Sequence, residues 1–506
     1  MITASTFADA LALGFLVYIL RRGFTNKRRD NLPPGPNGWP IIGNAFDMPT
    51  RYQWRTFAQW GEKWGDIVSV NLFGKHLVIL NSFDVADEIL DKKSAASSDR
   101  TPLPVCGEIM GWNFIVTLQQ YGLHLREMRR LIFQTVGTST GLMELAPDLE
   151  HCAHDFLCRV AADPASLTQE VHRFTAASSL KFIYGYTAKK DNDELVKIVE
   201  AAMKGFTIGT APATFLADTF PILTRVPAWF PGAKWKRTAQ AWRKDTEAMC
   251  DVPYDFAKAQ IDSGTAVPSF VASNLGDNVD PQRDALVKDT AASMYAGAAD
   301  TTVSAIRTFF LAMMCYPEVN KKAQEEIDRV IGPDRLPGIG DREQLPYVSA
   351  LCWEVLRWKP LGPLGIPHML SQDDVHRGYL LPKGTVIVAN VWNMLRDPRH
   401  YSHPEHFNPD RFVRKEGFEP ETDPRRMIFG FGRRVCPGSQ LAEISLFLIC
   451  AVSLAAFEIS KPVVDGKVVE PSMEYTTGSI SHPVEFQCSI KLRSSKAEAL
   501  LYSASD

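Results

Sequence analysis

The sequence predicts a mainly α-helical fold with small β-sheets, built as a single large domain behind an N-terminal apolar segment. Three observations predict it. Beyond position 40, no low-complexity linker, repeat or long charge run divides the 506 residues. Helical patterning dominates after one early pair of strands. With 45% hydrophobic against 22% charged residues, the chain can bury a large core, which excludes disorder as a whole. Length alone suggests about three domains of roughly 150 residues, but the unbroken body favours one.

From Ile2 to Leu20 the only charge is Asp9, and Arg21, Arg22, Lys27, Arg28 and Arg29 follow directly. A helix over the apolar run spans about 28 Å, close to a hydrocarbon core of about 30 Å. Positive charge on its C-terminal side predicts a transmembrane anchor over 1–20 that keeps the body in the cytosol. A cleaved signal peptide fits less well, because the basic residues follow the apolar run instead of preceding it. Residues 21–40 read as a basic and proline-rich hinge, since Leu32-Pro33-Pro34-Gly35-Pro36 fixes an extended, stiff backbone.

In the body, Ile67–Leu80 reads as two strands about Gly74, with Val68, Val70 and Leu72 alternating. The longest helix is expected over Ala285–Cys315, ending before Tyr316-Pro317, with Pro317 opening the next. Asp465-Gly466, between Val463-Val464 and Lys467-Val468, predicts a tight hairpin. Ile222-Leu223 and Ala228-Trp229-Phe230-Pro231 form an apolar patch beside Lys234, Lys236 and Arg237. It reads either as core packing or as a second membrane-dipping element.

Charge excludes one class of partner. With 55 Lys+Arg against 58 Asp+Glu, the net charge is −3, which argues against a dedicated nucleic-acid binder. Nine cysteines are scattered without a C-x-x-C pair, so neither a disulfide scaffold nor a zinc ribbon is expected.

One cysteine needs a different explanation. Phe429-Gly430-Phe431-Gly432-Arg433-Arg434-Val435-Cys436-Pro437-Gly438 precedes an apolar helical run. The glycines permit a tight turn and close approach to a flat cofactor. Arg434 and the following helix N-terminus both favour a deprotonated sulfur, and such a thiolate can ligate haem iron and favour O–O cleavage. The segment resembles the cytochrome P450 family, whose haem-binding signature F-x-x-G-x-R-x-C-x-G it matches at every fixed position: Phe429, Gly432, Arg434, Cys436 and Gly438 among them.

Two further segments extend the resemblance. An E-x-x-R pair occurs three times, at Glu127/Arg130, Glu326/Arg329 and Glu354/Arg357. Alone it is ordinary surface chemistry worth a few tenths of a kcal/mol. Only Glu354/Arg357 lies in an apolar helix followed by Lys359-Pro360, with the family's partner Arg411 downstream. The resemblance implies a Glu354–Arg357–Arg411 charge network with a folding role. In Ala296-Gly297-Ala298-Ala299-Asp300-Thr301-Thr302, Asp300 and Thr301 match the family's acid–alcohol pair, although Ala298 stands where Gly is usual. Cleaving dioxygen needs protons, and a hydroxyl with an acid behind it can supply them. A competing reading has Thr301 merely bonding the Gly297 carbonyl one turn back.

The resemblance covers nearly the whole chain, in the family's order, and looks like fungal microsomal members. It implies the cytochrome P450 fold over 41–506 as one haem domain, with haem b ligated by the Cys436 thiolate. It also implies an endoplasmic reticulum location, single-pass, with the catalytic domain in the cytosol. Arg434, His368 and Arg129 become the partners of the haem propionates. Leu125 replaces the family's tryptophan donor there, leaving His124 or Arg126 as substitutes. The implied reaction is insertion of one atom of O2 into a small apolar substrate. No NADPH-binding G-x-G-x-x-G unit is visible, so electrons come from an NADPH–cytochrome P450 reductase, with cytochrome b5 as a further donor. Arg126, Arg129, Arg130, Arg425, Arg426 and Arg433 would form its docking face. A terpenoid in fungal secondary metabolism is the first guess at substrate, bound among the Thr101–Thr117 loop, the central helix, Leu364–His368 and Thr477–Ile480. Two competitors are a haem-thiolate isomerase or dehydratase, and a haem ligand-binder without turnover.

Overall fold

The computed structural model describes Gly14 and residues 31–190, 192–211, 214–276 and 280–502. The anchor expected over 1–20 lies, Gly14 apart, outside the described residues. The described part of the proline-rich segment is docked on the body: the Pro34 carbonyl accepts the Ser69 N–H at 2.8 Å, and the Asn31 carbonyl accepts the Leu380 N–H at 2.6 Å.

The largest sheet runs in order through the strands Ile67–Leu72, Lys75–Leu80, Val386–Ala389, His368–Met369 and Asp99–Arg100. β1 (Ile67–Leu72) and β2 (Lys75–Leu80) form the expected antiparallel hairpin. Phe73 and Gly74 both take positive φ (52° and 88°), the geometry of a two-residue turn that matches strand twist. β2 then runs parallel to β7 (Val386–Ala389), and β4 (His368–Met369) bridges β7 to β3 (Asp99–Arg100). This edge brings Arg100 opposite His368. The predicted Asp465-Gly466 turn also forms, joining β9 (Val463–Val464) to β10 (Lys467–Val468).

The central helix runs Pro281–Cys315, four residues longer at its start than the hydrophobic pattern suggests. Its beginning is set by chemistry outside that pattern. Asp280 caps it, accepting the Gln282 and Arg283 N–H groups at 2.9 Å each, and Pro281 occupies the first turn. It packs against the helices Leu167–Tyr184 and Ser439–Ala456, and its C-terminal half is buried on all sides. The Ser439–Ala456 helix is long and apolar enough to cross a membrane, yet 72% of it is buried in this fold, so its apolarity is that of a core helix.

The Trp229 patch is surface: Trp229 is 79% exposed, and Ile222 and Phe230 are exposed too. Core packing is excluded for those side chains. Lys236 is folded back onto the Thr224 and Val226 carbonyls at 2.7 and 2.9 Å.

Candidate active site

The cysteine loop is held by its own backbone. The Cys436 N–H donates to the Phe429 carbonyl at 2.7 Å, closing the turn that opens the Ser439–Ala456 helix. Gly432 sits at φ 53°, with its backbone against the Leu90 carbonyl and Ser94, where a Cβ would collide. Burial pushes the Cys436 thiol up, while the Gly438 N–H and the Arg129 guanidinium draw it down. Arg129 is tied to the same loop, donating to the Val435 carbonyl at 2.7 Å.

Beside the loop lies a cluster of cations. Arg434 is buried and donates to the carbonyls of Ser98, Val116 and Gln119 at 2.6, 3.3 and 2.6 Å. Arg100, also buried, donates to those of Thr117, Ile366 and Pro367 at 3.1, 2.7 and 3.0 Å. His368 shares a bond with the Ser97 carbonyl at 2.7 Å, which assigns the proton to Nδ1. Burial, then repulsion from Arg434 and Arg129, drives Arg100 down to about 9; burial, then repulsion from Arg129, drives Arg434 to about 10. Burial and the Arg100 charge drive His368 to about 3.

Arg100 has no motif around it in the sequence, where His124 and Arg126 are the expected substitutes for the donor absent at Leu125. His124 instead lies 3.4 Å from Asp289, and Arg126 is exposed. The pairing of Arg100 with His368 across strands distant in sequence carries no local signal.

Asp300 and Thr301 stand midway along the central helix. Thr301 Oγ1 donates to the Gly297 carbonyl at 2.9 Å, so the backbone bond foreseen for it is made. Asp300 Oδ1 lies 3.2 Å from His482 Nε2, a partner outside the expected motif. The residues from Gly297 to Thr302 stay partly accessible, although the helix is buried on either side of them. A Cβ on Gly297 would meet nothing within 4 Å. Open space therefore abuts this stretch.

The Glu354–Arg357–Arg411 group is brought together. Glu354 accepts from Arg357 Nε and Nη2 at 2.7 and 2.9 Å, from Arg411 Nε at 3.3 Å and from the Asn408 N–H at 2.7 Å. All three side chains are buried. The other two E-x-x-R pairs differ from each other. Glu127–Arg130 is an exposed pair at 2.6 Å. Glu326, expected at the surface, is buried and accepts the Tyr347 and Val348 N–H groups at 3.0 Å each, capping the Pro346–Trp358 helix.

Among the six expected docking arginines, Arg130, Arg425 and Arg426 are engaged by carboxylates, Arg425 by Asp423 and Glu443 at 2.6 and 2.9 Å and Arg426 by Asp87 at 3.7 Å. Arg126 and Arg433 remain exposed.

These features define a class: a mainly helical fold whose cysteine loop opens a core helix next to buried cations. The comparisons agree. The family model for cytochrome P450 matches residues 33–489. Cytochrome P450 monooxygenase 208 of Postia placenta is 52% identical over 492 residues, covering 97% of this chain and 96% of that protein. Cytochrome P450 monooxygenase claR of Ampulloclitocybe clavipes is 42% identical over 493 residues, covering 97% and 92%. Cytochrome P450 monooxygenase ppsD of Aspergillus oryzae is 38% identical over 478 residues, covering 93% and 90%. The chain belongs to the cytochrome P450 family and is an oxidoreductase.

The family implies a haem whose iron takes a cysteine thiolate, and the residues present fit it. Arg100 and Arg434 are buried cations whose hydrogen-bonding partners among the described residues are neutral carbonyls alone. Buried charge of this kind calls for an anionic partner, which a pair of propionates would supply.

Proposed function

We propose that this chain is a haem-thiolate monooxygenase acting on an apolar organic substrate. The balanced reaction is R–H + O2 + 2e⁻ + 2H⁺ → R–OH + H2O. One oxygen atom enters a C–H bond; the other takes both protons and leaves as water. When bound, the haem supplies the site at which dioxygen is reduced and cleaved.

The chain's own residues bind, orient and deliver protons. Cys436 would hold the iron, with the Gly438 N–H and Arg129 supporting its thiolate. Phe429 and Gly432 shape the loop. Arg434, Arg129, His368 and, in addition, Arg100 would hold the propionates. Thr301 would present a hydroxyl to the reacting oxygen, and Asp300 would replenish its proton. Glu354, Arg357 and Arg411 would keep the surrounding segment folded. The observation that carries the reading is the buried cluster of Arg100 and Arg434 beside the one cysteine that opens a core helix.

Electrons would come from NADPH through a flavin-containing reductase, with cytochrome b5 as a second donor. The exposed Arg126 and Arg433 support an acidic partner on this side. The anchor over 1–20, the hinge over 21–40 and the exposed Trp229 patch together suit the cytosolic face of the endoplasmic reticulum membrane. The relatives are fungal, and the substrate proposed is small and apolar, with a terpenoid of secondary metabolism as first choice.

Ferrous–CO spectroscopy tests the ligand: the wild type should show the band of thiolate ligation and Cys436→Ala should lose it. Persistence of that band in the variant would refute the assignment. Substrate-dependent NADPH consumption with added reductase separates a monooxygenase from an isomerase, a dehydratase or a simple haem binder.

A further inference from the structure

We propose that His482 is the positioning residue for Asp300, fixing its carboxylate and passing it protons drawn from solvent. This rests on the reading of Asp300 and Thr301 as a proton-supplying pair, and it names the group behind them.

The geometry comes first. His482 Nε2 is 3.2 Å from Asp300 Oδ1, and each side chain is 17% exposed, sheltered yet within reach of water. The two residues come from elements far apart in the chain, the middle of the central helix and the C-terminal segment. That segment is already fixed without the imidazole. The Ser481 carbonyl accepts Ser304 Oγ–H at 2.6 Å, and the Ser481 N–H donates to the Leu361 carbonyl at 2.7 Å. The His482 N–H donates to Thr476 Oγ1 at 3.0 Å, while its carbonyl accepts the Thr476 N–H at 2.8 Å. The ring is therefore held against Asp300 by backbone bonds that any residue could make. What histidine alone adds is a group that exchanges protons near neutral pH.

The surroundings suit that task. His172 approaches the pair from the Leu167–Tyr184 helix; burial lowers its basicity, with Asp300 opposing and His482 adding to the effect. Arg307, two turns beyond Asp300, is paired with Glu485 at 3.0 Å. His172 thus has four charged or titratable neighbours, Asp300, His482, Arg307 and Glu485. Arg307 is already engaged by Glu485, so the group facing Asp300 is an imidazole, which can pass on a proton. In the transfer, the imidazolium Nε2–H bond breaks and an Oδ1–H bond forms. The neutral ring then regains a proton from water, and no electrons move.

The test uses the full-length, haem-loaded enzyme with its reductase, comparing wild type, Asp300→Asn, His482→Gln and His482→Ala. Gln keeps a donor to Asp300 but cannot carry a proton, so both His482 variants should lower product formed per NADPH. The proton-limited rate should fall by roughly tenfold or more, with a changed solvent isotope effect. A second readout needs no turnover: histidine C2-hydrogen exchange by mass spectrometry on the resting enzyme should show the His482 profile shift in Asp300→Asn. If Asp300→Asn disturbs coupling while both His482 variants match wild type, this inference fails alone. If Asp300→Asn itself changes nothing, the proton-pair reading beneath it fails. Normal ferrous–CO spectra confirm that the variants are folded.

Discussion

Arg100 and His368 face each other across the β3–β4 ladder, both buried, and no carboxylate among the described residues is hydrogen-bonded to either. Two groups that would each favour positive charge are thus held side by side, and burial lowers the basicity of both. An anion delivered to this edge would relieve the conflict.

Arg100→Met should therefore weaken haem retention. A charge-assisted hydrogen bond contributes roughly 1.5–3 kcal/mol, so haem loss should accelerate about tenfold or more. Arg100→Lys should not restore retention, because a single ammonium cannot reproduce the guanidinium fork on Thr117, Ile366 and Pro367. The Soret-to-protein absorbance ratio during challenge with apomyoglobin measures this. Wild-type retention in Arg100→Met would count against the cluster as a propionate site.

The three E-x-x-R glutamates should rank by burial. Glu354→Ala leaves Arg357 and Arg411 buried without their shared carboxylate, a loss of about 3–5 kcal/mol. Glu326→Ala removes the acceptor of two buried N–H groups, costing about 1.5–3 kcal/mol. Glu127→Ala breaks only an exposed pair and should stay within about 0.5 kcal/mol. Denaturant melts of the three variants give the order directly.

Thr301→Ala should retain haem yet divert reducing equivalents to peroxide, whereas Thr301→Ser keeps the hydroxyl and most of the coupling. The hydroxyl is bonded to the Gly297 carbonyl at 2.9 Å, so its removal costs the helix little. Peroxide formed per NADPH consumed is the measurement. Equal yields in wild type and Thr301→Ala would remove the hydroxyl from the proton path.

Asp341 provides the pH dependence. The Arg335 guanidinium, at 2.6 Å, holds its carboxyl below the usual range; burial opposes this, and the Gly338 N–H at 2.8 Å reinforces it. Because the folded value is depressed, the unfolded chain binds the proton first as pH falls. The stabilisation is thus present above the ordinary aspartate value near 4 and is lost as pH drops through the lower folded value. Asp341→Asn should lower the melting temperature at pH 7, and the gap to wild type should narrow below about pH 4. A gap independent of pH would contradict the ion pair.

The cysteine loop, the Glu354/Arg357 helix and the Asp300-Thr301 pair were legible in the sequence because each is contiguous. A turn, a helix face or a loop imposes its residue types at fixed short spacing, and those spacings can be read directly. The β1–β2 and Asp465-Gly466 hairpins were legible for the same reason.

The contacts of Arg100, Glu326 and His482 were not, because they are made with partners brought near only by folding. Nothing around Arg100 announces that β3 will pair with β4 and set it against His368. Glu326 looks like a surface glutamate until its carboxylate meets the first turn of another helix. Sequence by itself determined the family and the mainly helical fold class. Tertiary structure alone decided which charges are buried together, because electrostatic environment is set by distance in space and exclusion of water, neither of which local spacing encodes.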